Sequence, residues 1–109
     1  MASFGSNAVH AWARVNQSGS QTLVDSYNIT SIADNTTGKT TFNFSTNASD
    51  DDYVYACCAG NVGGTTTSGR AQNPDQAASV SSIRIRNFNV TGDALKDDTL
   101  LNLFVISQN

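Results

Sequence analysis

The sequence predicts an all-β fold, an antiparallel β-sandwich or jelly-roll-like single domain, on three observations. The polar residues are dominated by 13 Ser, 12 Thr and 12 Asn, and all nine acidic residues are Asp. Glu is absent and only two Lys occur, so residues that favour helices are scarce, whereas Ser, Asn and Asp suit turns and Thr suits strands. Finally, apolar residues recur at every second position in several short runs, which is the period of a strand.

The first strand is predicted from Val9 to Val15, where small or branched apolar residues occupy alternate positions. The opposite face of this strand carries His10, Trp12 and Arg14. We therefore expect His10 to be a surface residue beside Trp12.

The second and third strands flank a predicted hairpin loop. Leu23 to Ile29 is the second strand, and Thr40 to Thr46 is the third, with Phe42 and Phe44 on one face. Between them, residues 34–38 read Asp-Asn-Thr-Thr-Gly, and the final glycine can adopt a positive φ.

Three further strands are predicted in the second half of the chain, at Tyr53 to Ala59, Val80 to Val90 and Thr99 to Ser107. Asn61 to Ala78 is rich in Gly, Thr and Ser, and we expect it to be the longest loop. Loops of that length are uncommon unless they bind something or move. The Thr-Gly-Asp sequence at 91–93 predicts a turn before the last strand.

The last strand is apolar on both faces, which predicts a central position in a sheet or burial by a partner subunit. We expect this stretch to form part of the core or an intersubunit seam. The residues concerned are Leu100, Leu101, Leu103, Phe104, Val105 and Ile106.

The length of 109 residues fits one domain, which we place at residues 8–109 behind a short N-terminal arm of residues 1–7. A domain of this size buries a limited core, so it gains stability from oligomerisation.

Charge and hydropathy argue against several classes of function. The net charge is −3, and among the six basic residues only Arg84 and Arg86 are close in sequence, which disfavours nucleic-acid binding. No run approaches the roughly 20 apolar residues that span a bilayer, so we expect no membrane insertion. No secretory signal is visible after Met1, which predicts synthesis in a cytoplasm.

The sequence provides no motif for a metal, a cofactor or catalysis. Cys57 and Cys58 are adjacent and lack the spacing of a zinc site, and a disulfide between strand neighbours would be strained. We expect free thiols, at least one of them packed as a small apolar residue. His10 is the only histidine, and no nucleophile motif accompanies it. We therefore predict that the protein is not an enzyme.

Asp50, Asp51 and Asp52 leave two alternatives open. Clustered carboxylates can bind calcium, but the spaced ligands and distal Glu of known calcium loops are missing. Three consecutive Asp before a strand are more often a solvated turn that prevents edge-to-edge aggregation, which is the interpretation we favour.

Four stretches carry a resemblance to a known family: Ala11-Trp12, residues 26–38 (SYNITSIADNTTG), residues 41–44 (TFNF) and Asp52-Tyr53. They resemble a module of phage and prophage tail-fibre proteins. In that family an AW opening leads to a SYNVSSITDNGTG segment, followed by a YTVNFT strand and a D-x-x-Y step. The resemblance covers roughly residues 8–55 well and continues weakly through 82–85 and 103–106.

The resemblance implies a virion structural protein that forms a homotrimer and is made in the host cytoplasm. The module usually ends a long fibre behind a stalk, whereas here Met1 stands seven residues ahead of it. We therefore expect a free-standing module and keep head decoration of the capsid as an alternative to a tail-fibre role.

Two main hypotheses follow, with distinct partners. In host attachment, the loop from Asn61 to Ala78 would contact a host surface glycan or protein. Aromatic side chains would stack on sugars if they are exposed, the candidates being Trp12, Tyr27, Tyr53 and Tyr55. In decoration, residues 1–7 would fix the module to other virion proteins of the capsid or tail. A glycan-degrading enzyme is a third hypothesis, which would need paired carboxylates at a cleft.

Overall fold

A computed structural model describes residues 9–61 and 69–107, and over these ranges the chain forms two antiparallel four-stranded sheets packed face to face. Sheet A has the strand order β2-β1-β8-β5, and sheet B has the order β3-β4-β7-β6. The predicted all-β sandwich is thereby confirmed. The strands are β1 Val9–Asn16, β2 Thr22–Tyr27, β3 Ile29–Thr36, β4 Lys39–Phe44, β5 Val54–Gly60, β6 Arg70–Pro74, β7 Ser82–Asn89 and β8 Leu100–Ile106.

The hydrophobic core lies between the two sheets and follows the alternation seen in the sequence. Strand β8 sits between β1 and β5, as its apolar character predicts. Every second residue of the long strands points inward, which removes its apolar surface from water and supplies most of the stability. The principal inward residues are Ala11, Ala13, Val15, Phe42, Phe44, Ile83, Ile85, Leu101, Leu103 and Val105.

The predicted hairpin before Thr40 is confirmed, but its loop is shorter than predicted, because residues 34–36 belong to β3 and the chain turns at Thr37 and Gly38. Two features of the structure require the glycine. Gly38 has a φ of 74°, a conformation that side chains disfavour. A Cβ at this position would also lie 2.7 Å from the backbone oxygen of Asn87. The Gly38 N–H donates to Asp97 Oδ1 at 2.7 Å, so the hairpin tip is packed against the segment that precedes β8.

The prediction of one strand from Leu23 to Ile29 is wrong, because the chain changes sheets within it. Strand β2 ends at Tyr27 in sheet A, and β3 begins at Ile29 in sheet B. Asn28 makes the corner with a φ of 57°, which Asn tolerates better than most residues. A sequence pattern of period two cannot show such a corner when polar and apolar residues continue to alternate.

The prediction of one long loop from Asn61 to Ala78 is also wrong. Arg70–Pro74 form β6, an edge strand of sheet B that pairs with β7. The segment carries no apolar alternation, so sequence gives no strand signal. Pro74 is tolerated because it ends an edge strand, where one missing N–H costs little.

The prediction that His10 is a surface residue is wrong, because His10 is buried, with 9% of its surface exposed. A β-bulge between Val9 and Ala11 inserts one extra residue into β1, and this turns the side chain of His10 toward the interior. Its ring lies edge-on to Phe44 with centroids 4.9 Å apart.

The predicted N-terminal arm of residues 1–7 lies outside the described residues, as do residues 62–68 of the predicted binding loop. Within the described ranges, no helix has the length and apolar character needed to cross a membrane.

Candidate functional site

The outer face of sheet A carries three exposed aromatic side chains in a line, which we call the aromatic row: Tyr27, Trp12 and Phe104. Trp12 on β1 lies directly opposite Tyr27 on β2 and opposite Phe104 on β8. Side chains opposite each other on antiparallel neighbours have Cβ atoms about 4.5–5.5 Å apart, so the three form a continuous strip. Their exposed fractions are 53% for Tyr27, 37% for Trp12 and 41% for Phe104.

A second row on this face is aliphatic and runs beside the aromatic row. Ile106 of β8 lies opposite Val9 of β1 and opposite Val54 of β5. Val54 is 67% exposed, the largest fraction among the exposed large hydrophobic residues of the described ranges. An antiparallel sheet that faces water usually presents polar side chains there, so this surface has the character of a contact surface.

The row on the other side of the aromatic strip is polar. Arg14 of β1 lies opposite Asp25 of β2 and Asn102 of β8. The Asn102 amide lies 3.6 Å from Cys58 Sγ on β5. The aromatic row is therefore bordered by hydrogen-bonding groups on one side and by methyl groups on the other.

The outer face of sheet B is polar and carries a cluster of positive charge. Three of the six basic residues of the chain lie there, Lys39, Arg84 and Arg86. The Asp75 carboxylate lies 2.7 Å from Arg84 Nε and 3.4 Å from Lys39 Nζ. The Asp75 carboxylate thus forms ion pairs with two of the three cations.

A shallow groove of about 460 Å³ lies at the end of this cluster. Lys39 of β4 and Arg86 of β7 are directly opposite each other in the sheet. The Arg86 guanidinium carbon lies 5.2 Å from the centroid of the Phe88 ring, and its Nε donates to Asn73 Oδ1 at 2.7 Å. The residues that line the groove are Lys39, Arg86, Phe88, Asp93 and Leu95.

The four aromatic residues predicted as glycan contacts do not share one surface. Trp12 and Tyr27 are brought together in the aromatic row, whereas Tyr53 is buried and donates its hydroxyl to Ser79 O at 2.9 Å. Burial raises the pKa of Tyr53 to about 12, and the charge of Asp51 adds to the shift. Tyr55 is half-buried and packs against the core. The prediction required an exposed ring for stacking on a sugar, and neither Tyr53 nor Tyr55 is exposed.

The predicted seam in β8 is divided between two environments. Leu101, Leu103 and Val105 are buried in the core between the sheets and cannot contact a partner. The alternate residues lie on the outer face of sheet A, where Phe104 is exposed and Leu100 and Ile106 are half-buried.

The adjacent cysteines are both free thiols, as predicted. Cys57 faces inward and packs against the core, whereas Cys58 is exposed on the outer face of sheet A. Burial raises the pKa of the Cys57 thiol to about 12, with a smaller effect from Cys58.

Asp50, Asp51 and Asp52 are exposed and lie in a turn before β5, where Asp50 Oδ1 accepts the backbone N–H of Asp52 at 2.9 Å. No group of three or more His, Cys, Asp or Glu side chains within residues 9–61 and 69–107 is arranged to hold a metal ion.

Sequence reasoning missed a cluster of largely buried polar side chains at one end of the sandwich. We call it the polar cluster, and its members are Gln17, Thr40, Arg70, Asn87 and Asp98. Asn87 Nδ2 donates to Asp98 Oδ2 at 2.8 Å, and Gln17 Nε2 donates to Thr40 Oγ1 at 3.0 Å. Arg70 closes the cluster with two bonds to the Asp98 carboxylate, from Nε at 2.7 Å and from Nη2 at 3.0 Å.

The partners of Asp98 stabilise its ionised form. Burial acts to raise the pKa of Asp98, but hydrogen bonds from Arg70 and Asn87 and the charge of Arg70 outweigh it, so the pKa is lowered. Asp98 has no exposed surface, and we therefore interpret the polar cluster as structural. Polar residues such as Gln17 and Asn87 give no signal in sequence that they are buried.

Comparison of the chain with protein-family models, with curated proteins and with solved structures finds no significant match.

Proposed function

We propose that this chain is a non-catalytic structural module of a bacteriophage particle, tail-fibre-like and exposed on the virion, which takes part in host attachment. Support comes from the sequence resemblance between Ser26 and Phe44, which includes the confirmed hairpin of β3 and β4. The partner is a glycan or a protein of the host surface.

The aromatic row is the single observation that carries the attachment role. Trp12 and Tyr27 present large amphipathic rings to solvent from rigid, directly paired strands. Such rings stack on sugar faces, and the neighbouring Asp25 and Asn102 offer hydrogen-bonding groups to hydroxyls. Because the rings stand on a sheet and not on a loop, they need little ordering when a ligand binds.

The test is binding of the labelled, purified protein to host cells. We expect binding, and we expect a Trp12→Ala, Tyr27→Ala double variant to lose at least about tenfold in affinity, since stacking on two rings is removed. Val90→Ala serves as the control, because Val90 is 53% exposed and does not belong to the aromatic row. An absence of binding, together with unchanged adsorption of phage that lack the protein, would exclude the attachment role.

A second candidate function is decoration of the capsid or tail, and the aliphatic row favours it. Val9, Ile106 and Val54 have no stacking face for a sugar, but they suit the surface of another protein. In this proposal the outer face of sheet A packs in a homotrimer or against other virion proteins. Light scattering that shows a stable monomer would exclude the trimer, and a copy number in the hundreds per virion would favour decoration over a fibre.

The non-catalytic part of the proposal is supported by the position of the only histidine. The His10 ring is buried between Phe44 and the Asn28 amide, which lies 3.3 Å from Nε2, so it is not presented to a substrate. Turnover of host polysaccharide by the purified protein would refute this part.

A further inference from the structure

We propose that the groove lined by Lys39, Arg86, Phe88, Asp93 and Leu95 binds a sugar that carries a carboxylate. This inference deepens the proposed attachment role, on which its biological meaning rests, because it names a class of ligand and a second surface. The groove lies on the outer face of sheet B, and the aromatic row lies on the outer face of sheet A.

One of the two cations that line the groove, Arg86, has no ion-pair partner among the described residues. Lys39 shares the Asp75 carboxylate with Arg84, at 3.4 Å and 2.7 Å, whereas Arg86 forms no ion pair within the described part of the chain. Its Nε is held by the neutral Asn73 side chain at 2.7 Å, which fixes the guanidinium without cancelling its charge. Arginine binds carboxylates through paired N–H groups, so Arg86 is the residue expected to select the anion.

The groove is formed by the fold before any ligand arrives. Lys39 and Arg86 are paired residues of neighbouring strands, and Phe88 forms a bridge with Leu95 that folds the β7–β8 connection back onto the sheet. A volume of about 460 Å³ falls within the range of about 300–1,000 Å³ that is usual for small-ligand sites. Phe88 and Leu95 supply the apolar part of the groove lining.

Asp93 argues for a sugar acid over a simple anion. Asp93 is exposed and lines the same groove as the two cations, so its negative charge disfavours a bare phosphate there. A ligand that carries both a carboxylate and hydroxyl groups suits this lining, because the carboxylate can accept from Arg86 and the hydroxyls can donate to Asp93. The groove therefore matches a ligand with an anion and hydrogen-bond donors on one ring.

The test is titration of the ¹⁵N-labelled protein with glucuronate, glucose and inorganic phosphate, followed by backbone amide shifts. Glucuronate should shift the amides of Lys39, Phe88 and Leu95 and should bind at least about tenfold more tightly than glucose or phosphate, because only glucuronate combines a carboxylate for Arg86 with hydroxyl groups for Asp93. Equal shifts with phosphate would reduce the site to non-specific anion contact and would overturn the proposal.

Two charge-removing variants separate the groove from general electrostatics. Arg86→Gln should weaken glucuronate binding at the groove at least about tenfold, as followed by the amide shifts of Lys39, Phe88 and Leu95. Arg14→Gln removes the same charge on the outer face of sheet A and should leave the glucuronate-induced shifts of these three amides unchanged. Equal losses in both variants would overturn the proposal. Because Arg86 contacts Asn73, the amide spectrum of each variant is compared with the parent to verify that it is folded.

The outcome for the groove can be separated from the outcome for attachment. If host cells bind the protein but glucuronate does not, the groove proposal fails and the attachment role stands on the aromatic row. If glucuronate binds but host cells do not, the groove is a real site and the attachment role fails.

Discussion

The polar cluster and the outer face of sheet A reverse the usual distribution of residues between interior and surface. Gln17, Asn87 and Asp98 have no exposed surface, although all three are polar. The aromatic row, in contrast, exposes between 37% and 53% of each residue to solvent.

The two regions differ in whether their side chains have partners within the described part of the chain. In the polar cluster, the side chains of Gln17, Asn87 and Asp98 form hydrogen bonds with one another or with Thr40 and Arg70, so the cost of burial is offset. On the outer face of sheet A, no described part of the chain covers the rings. The polar cluster therefore holds the fold, and the outer face is the region available for a partner.

The largest effect is expected from Asp98→Ala, which breaks the polar cluster. Removal of the carboxylate leaves the Arg70 guanidinium and the Asn87 amide without their main acceptor, and loss of one partner from a buried ion pair costs about 3–5 kcal/mol. Urea unfolding measures the change. Asp25→Ala, on the outer face of sheet A, is the control and should cost below about 1 kcal/mol. Similar losses in the two variants would contradict the assignment of the polar cluster to the fold.

A smaller but clear effect is expected from Gly38→Ala at the hairpin tip beside Asn87. The added Cβ would lie 2.7 Å from a backbone oxygen, in addition to the strain of a φ of 74°. Gly92→Ala is the matched control, since Gly92 has a φ of 80° but an added Cβ there would meet no atom within 4 Å. In urea unfolding the control should lose about 1–2 kcal/mol, the cost of a left-handed conformation, and Gly38→Ala should lose more. Equal losses would mean that the hairpin tip is not closely packed.

The polar cluster should also make stability depend on pH in the acid range. The pKa of Asp98 is lowered from 3.8 in the folded chain, so its ion pair contributes fully above about 3.8. The contribution is lost as the pH falls through the lowered pKa, because the unfolded chain binds the proton first. Unfolding free energies between about pH 6 and about pH 2 should fall less steeply in Asp98→Asn. An unchanged slope would show that other carboxylates account for the acid transition.

The outer face should tolerate a change that the interior does not. Phe104→Ala removes an exposed ring from the aromatic row, and cross-strand pairs contribute about 0.2–1 kcal/mol, so the stability loss should stay within that range. If the outer face of sheet A packs in the proposed homotrimer, the same variant should weaken self-association, measured by light scattering across a concentration series. Asn43→Ala, on the outer face of sheet B, is the control for association. A loss above about 3 kcal/mol would mean that Phe104 belongs to the core.

The last prediction concerns the reactivity of the two cysteines, which tests the face of β5 that each side chain occupies. A thiol reagent at neutral pH should label Cys58 quickly and Cys57 slowly, because burial raises the pKa of Cys57 to about 12 and shields the sulfur. Cys58→Ser should abolish the fast phase, and Cys57→Ser should retain it. Equal rates for the two thiols would contradict the inward position of Cys57.

Much of the fold could be predicted because apolar alternation is strong where the core is built. Phe42 and Phe44 in β4, and Leu101, Leu103 and Val105 in β8, alternate with other residues and proved to be inward. These side chains drive folding by burial, so their spacing reflects the strand period directly.

The remaining features depend on contacts that no local pattern records. The bulge that turns His10 inward is a shift in the pairing of β1 with β8, and no residue type in the sequence marks it. The strand β6 is held by pairing with β7 and by Arg70, and not by apolar residues of its own. For the candidate site, sequence selected Trp12 and Tyr27 as aromatic candidates, but their partner Phe104 comes from a strand far along the chain.

The corner at Asn28 has a mechanical consequence for the whole module. The Asn28 side chain accepts the N–H of Thr46 at 2.8 Å and donates to the backbone oxygen of His10 at 2.9 Å, so one residue clamps the chain after β4 to β1. Since β1 belongs to sheet A and β4 to sheet B, these hydrogen bonds link the two sheets at this point. Sliding of one sheet over the other would break these bonds together. A force that slides the two sheets past each other is therefore resisted at this corner as well as by the packing of the core.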